Sequence, residues 1–134
     1  MLAFVAIFLI KINRVYLISR SVEPEIEAKI REVFERHPAV SSVSALTGVV
    51  LTMGQYRVAA DLDFDGAAVA RRLLSTKDIA AIRATLDSDE AMTAWLEGFA
   101  EELLQALGAE VDEIEAEVRA AVPGVAQVDL EADA

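Results

Sequence analysis

Between Tyr56 and Gly66 the sequence reads Tyr-Arg-Val-Ala-Ala-Asp-Leu-Asp-Phe-Asp-Gly, and no other stretch limits the fold as tightly. Tyr56, Val58, Ala60, Leu62 and Phe64 take every second position, while Arg57, Asp61, Asp63 and Asp65 alternate with them. A period of two is that of a half-buried β-strand, with one face toward a core and the other toward water or a ligand. Three carboxylates on one strand face repel each other unless solvent, a basic neighbour or a cation offsets them. This face is therefore the first candidate for function, although antiparallel sheets commonly leave one face simply wet.

Two apolar runs flank this strand in the sequence order. Val40, Val43, Leu46, Val49, Val50 and Leu51 mark a first strand, interrupted at Gly48, and Met53-Gly54-Gln55 supplies the turn between the two. Near the end of the chain, Val125 to Glu131 returns to the period of two, with Val128 and Leu130 inward and Gln127, Asp129 and Glu131 outward. The last strand thus repeats the acidic face of the central one.

Helical periods fill the rest. Ser21-Val-Glu-Pro reads as a helix start with Pro24 at the first position, and Ile26, Ile30, Val33 and Phe34 form its apolar face up to His37-Pro38. His37, the sole histidine, reads as a partner for the last helix carbonyls rather than a ligand. Val69, Leu73 and Leu74 define a short helix and Ile79, Ile82 and Leu86 another. Asp87-Ser88-Asp89-Glu90 caps a third, in which Met92, Leu96, Phe99, Leu103, Leu107, Val111, Ile114 and Val118 recur as one long stripe, or as two helices joined near Gly108. Met92 and Trp95 on this stripe read as core or dimer contacts. The order helix, strand, strand, helices, strand predicts an α+β sandwich of ferredoxin-like character over residues 21–134, with helices on one sheet face.

Residues 1–20 form a separate segment. Met1 to Ile10 is unbroken apolar sequence, at about 1.5 Å per residue half of a ~30 Å hydrocarbon core. Followed by Lys11, Arg14 and Arg20, it fits the end of a transmembrane helix with its basic side cytoplasmic. An amphipathic helix that packs on the body or on a second copy fits equally well.

Charge and composition exclude several functions. Three of the 12 basic residues lie within the first 22 positions, which hold no acid, so the remainder sets nine bases against 23 acids. Such a body repels nucleic acid and attracts cations. Without cysteine there is no thiolate metal site, thiol nucleophile or disulfide. One histidine at a helix end offers no nucleophilic triad, the isolated glycines form no phosphate loop, and nothing supplies the apolar pocket that a carboxylate pair from Asp61, Asp63 and Asp129 would need for hydrolysis. The reading is not an enzyme. What remains is an outward cluster of carboxylates, Asp61, Asp63, Asp129 and Glu131, suited to a hard or borderline divalent cation.

Four segments in order carry a family likeness: Leu17-Ile18-Ser19-Arg20-Ser21 before the proline-started helix, Asp61-Leu62-Asp63-Phe64-Asp65-Gly66, Leu107-Gly108-Ala109-Glu110-Val111-Asp112-Glu113-Ile114-Glu115, and Gln127-Val128-Asp129-Leu130-Glu131. They resemble the cytosolic C-terminal domain of the cation diffusion facilitator transporters, in particular the branch containing the zinc transporter nine proteins. The resemblance implies a domain at the cytoplasmic side of a membrane that forms homodimers, regulates divalent cation efflux and binds metal, zinc above all, with Met1 to Val15 closing the last transmembrane helix. By position on the matching strands Asp61 and Glu131 are the implied ligands, with Asp63 and Asp129 as neighbours. Ser44-Ala45 stand where many members carry a His-Asp metal pair. A small-molecule-binding module, or a stand-alone structural dimerisation module without metal sensing, is the alternative expectation.

Overall fold

The computed structural model describes residues 21–132. The expectations for residues 1–20 lie outside them. Helix α1 spans Pro24–Arg36, strand β1 Val40–Thr52, β2 Gln55–Phe64, α2 Gly66–Leu74, α3 Ile79–Thr85, α4 Asp89–Ala121 and β3 Val125–Ala132. The sheet order is β1-β2-β3, with β1 and β2 antiparallel and β2 and β3 parallel. This is the expected α+β, ferredoxin-like order, and α4 runs unbroken through Gly108.

Local chemistry sets the element ends. Pro24 opens α1, and at its far end Pro38 follows His37, whose N–H donates to the Phe34 carbonyl at 3.2 Å. Thr52 pairs with Gln55 across a two-residue turn in which Gly54 has φ +77°, a conformation that favours glycine. Asp65, Asp78 and Ser88 cap α2, α3 and α4, each accepting a backbone N–H of the first turn. Asp65 is thus a helix cap rather than a third carboxylate of the β2 face, because the chain turns into α2 at Gly66.

Gly48 does not interrupt β1. It pairs with Val58 within the strand, and a Cβ there would stand 2.3 Å from Val22 Cγ2. The glycine lets the segment before α1 lie against β1, where Val22 N–H donates to the Gly48 carbonyl at 3.1 Å.

One face of the sheet is the core face. Val58, Ala60 and Leu62 of β2 and Val125 and Val128 of β3 meet Ile30, Val33 and Phe34 of α1 and Ile114 and Val118 of α4. Burial of each large side chain here contributes about 1.5–3 kcal/mol. The contribution of α4 comes from its second half alone. From residue 89 to residue 109 it has no fully buried side chain, and Met92, Leu96 and Leu104 are exposed.

Candidate functional site

The second sheet face carries no helix among the described residues, and the four acids singled out above lie on it. Asp61 and Asp63 alternate with the buried Leu62 on β2, and Asp129 follows the buried Val128 on β3. The parallel pairing sets Ala59 opposite Asp129 and Asp61 opposite Glu131. On the β1 side Ala45 stands opposite Asp61 and Ser42 opposite Asp63. The register slips between Val43 and Ala45, which leaves Ser44 as the extra residue of a bulge. The Ser44-Ala45 pair therefore brings only a methyl group alongside Asp61.

Two of the four carboxylates are engaged within the domain. Asp129 accepts from Arg57 Nε at 2.8 Å and from Gln127 Nε2 at 3.1 Å. These bonds, Arg57 first, hold the Asp129 carboxyl below the usual aspartate range. Asp63 accepts from the Ser42 hydroxyl. Among the described residues neither Asp61 nor Glu131 takes part in an ion pair. The structure thus brings Asp61 and Glu131 together on adjacent strands and ties Asp63 and Asp129 to neighbours.

A second polar cluster lies on the opposite side of the sheet, where α1, α2 and α4 meet. Glu110 and His37 are both buried, at 5% and 4% exposure. Arg72 Nη1 donates to Glu110 Oε1 and Oε2 at 2.9 and 2.8 Å and to Glu113 Oε2 at 3.0 Å. The Glu113 bond, followed by the Glu110 charge, raises the Arg72 guanidinium above its ordinary value. A cavity of about 180 Å³ borders this clamp, lined by Val69, Leu73, Ala106 and Ala109 beside the charged groups. Sequence reading missed Glu110, since an acid between Leu107 and Val111 on a helical stripe gives no sign of facing inward until the buried histidine is placed beside it.

Ligand atoms of His37, Glu113 and Glu117 approach within 4.8 Å of one another, but the imidazole is oriented against a metal. His37 Nδ1 accepts the Ala39 N–H at 3.3 Å, so in the neutral ring the proton sits on Nε2, which faces Glu110 Oε2 at 3.7 Å. Ligating histidines donate through their second nitrogen to an acceptor. Here a donor occupies that place. The His37 ring is not the carbonyl partner expected from sequence either, although its backbone N–H reaches Phe34: the ring receives a backbone hydrogen bond and is buried between α1 and α4.

The relatives of this chain are transporters, and it is through them that it is a transporter-associated domain. No family model and no solved structure matches the chain. It is 33% identical over 134 residues to the "Proton-coupled zinc antiporter SLC30A9, mitochondrial" of Mus musculus, and 34% identical to that of Xenopus laevis. It is 33% identical over 138 residues to "Metal tolerance protein C4" of Arabidopsis thaliana. Each match takes in 98% of this chain but 24% of the two antiporters and 30% of the plant protein. The chain therefore spans about a quarter of the length of the antiporters it matches. The match is to the C-terminal domain of cation diffusion facilitator transporters of the zinc transporter nine branch, of which this chain is a homologue. Among the described residues no helix is long and apolar enough to cross a membrane.

Proposed function

We propose that this chain is the regulatory and dimerisation domain of a divalent cation efflux transporter, non-catalytic, membrane-associated through residues 1–20 and otherwise on the cytoplasmic side. Asp61 and Glu131 are its metal ligands, Asp63 and Asp129 lie beside them, and zinc is the cation named for the antiporter relatives. The observation that carries the proposal is the direct pairing of Asp61 with Glu131 on the open sheet face. Opposed side chains on neighbouring strands lie about 5 Å apart, close enough for both carboxylates to reach one cation. Two carboxylates make a weak zinc site, so a second copy would supply the remaining ligands and the metal would favour the dimer that joins them. Such a shift requires that zinc bind one arrangement more tightly than the other.

A dimerisation module without metal sensing is the second reading, favoured by Ala45 at the position beside Asp61. Calorimetric titration of the chain with zinc, with manganese and magnesium as comparisons and the solution mass followed in parallel, separates the two. Saturable zinc binding weakened by Asp61→Ala and by Glu131→Ala supports the metal-responsive domain. A dimer indifferent to all three cations leaves the structural module, and a monomer under every condition overturns both.

A further inference from the structure

The first half of α4 shows a surface that the acidic sheet face does not explain. Over residues 89–109 the helix is about 30 Å long and has no fully buried side chain, yet its apolar residues continue the stripe that Ile114 and Val118 bury in the core. Trp95, Phe99 and Leu103 are half-buried, with the Trp95 and Phe99 rings stacked at 5.2 Å. Leu96, Ala100 and Leu104 lie outside that shelter, at 52% exposure for Leu96 and 71% for Leu104. A spacing of four residues puts these three in one row along the helix. An exposed apolar row beside charged residues is a surface that a partner can cover.

The rim decides the kind of partner. The row next to Leu96, Ala100 and Leu104 holds Glu97 and Glu101, both exposed and in no ion pair among the described residues. On the far flank Glu102 is neutralised by Lys77 at 2.5 Å. Helix α4 carries no lysine, arginine or histidine before Arg119. In a two-fold antiparallel pairing of α4 with its own copy, the Glu97 and Glu101 flank would face the same flank of the copy, acid against acid. A parallel copy brings no basic group to them either, because α4 has none before Arg119, so a second copy leaves both acids unpaired.

We propose that the Leu96–Ala100–Leu104 row docks an amphipathic helix of another protein, apolar along one face and lined with lysine or arginine beside it. The apolar face covers the leucines over the small Ala100, and the basic flank pairs with Glu97 and Glu101. This is helix-in-groove recognition with the complementary charge on the partner. It does not depend on metal binding or on dimerisation, and it can fail while both hold.

The test uses the full-length chain and two synthetic peptides of about 18 residues, long enough to cover the row as helices. Both carry the same leucines at helical spacing, one flanked by lysine and the other by glutamate. The lysine peptide is expected to bind saturably, more weakly as salt rises, and roughly ten-fold or more tighter than the glutamate peptide. Leu96→Ser with Leu104→Ser keeps the charge and should weaken binding at least about ten-fold, since exposed anchor residues carry most of such an interface. Glu97→Gln with Glu101→Gln should weaken it and flatten its salt dependence. Circular dichroism of each variant checks that the fold is kept. Equal binding of both peptides, or lysine-peptide binding unchanged by Leu96→Ser with Leu104→Ser, overturns the proposal. So does a dimer of the chain that dissociates on those same leucine substitutions, which would make the face a contact between copies.

Discussion

Arg57 and Asp129 stand 72 residues apart in sequence and join through a 2.8 Å bond from Nε to Oδ2 on the open sheet face. Arg57 is the one base of the alternating β2 stretch, and it answers one of the four carboxylates singled out there. Because this bond holds the Asp129 carboxyl below its ordinary range, its contribution to stability is present above the unfolded aspartate value, about 3.9, and is lost as pH falls through the lower folded value. Arg57→Gln should therefore move the Asp129 midpoint upward in a carboxyl carbon NMR titration. It should also remove the stability that this bond contributes at neutral pH. An unmoved Asp129 midpoint would contradict the bond.

The core lies under the second half of α4 and not under the first, which two truncations distinguish. Phe34 is fully buried between sheet and helices, so Phe34→Ala should cost about 3–5 kcal/mol in denaturant unfolding. Leu104 is largely exposed, and Leu104→Ala should fall within about 0.5 kcal/mol of the parent chain. Comparable losses at both sites would mean that the apolar row is covered within the chain itself.

Gly48 predicts a steric penalty that β-propensity alone would not. Its backbone lies in an ordinary strand, where alanine would normally be the better residue, but the added methyl meets Val22. Gly48→Ala should destabilise the domain by about 1–3 kcal/mol, as overpacking does, and Val22→Ala in the same chain should recover part of that loss. Gain of stability in the single variant would show that the segment before α1 does not lie against β1.

The fold was legible where one period ran uninterrupted. Tyr56 to Phe64 named its own buried residues, and the cap Ser88 and the opening Pro24 marked their helices, because each signal is local chemistry. Asp65 was misplaced because the alternation carries straight into a residue that the next helix uses as a cap. Gly48 looked like a break because its reason, Val22, is 26 positions away. The candidate site was legible only as a set of outward carboxylates: the partners that distinguish Asp129 and Asp63 from Asp61 and Glu131 come from register across three strands, and from the bulge at Ser44, neither of which has a sequence period. For α4, periodicity identified an apolar face over its whole length but not which half the body covers.

Glu110 is the interior residue with the most at stake. Both its carboxylate oxygens accept from Arg72, and the Nε2 of His37, which carries the proton of the neutral ring, faces the same Oε2, so both oxygens are turned toward donors. In Glu110→Gln the amide oxygen can keep one of these donors, while its NH₂ group is turned toward another, at a cost of about 1–3 kcal/mol. Arg72→Gln should destabilise as well, for a different reason: it leaves the buried carboxylate without its charged partner, whereas Arg72 itself is 57% exposed and solvated. The two losses should not add, because once the carboxylate has become an amide no buried charge is left for Arg72 to compensate. Unfolding midpoints of the two single variants and the double variant, at constant denaturant slope, measure that coupling. Strict additivity would show that the clamp joining α2 to α4 is not formed in solution.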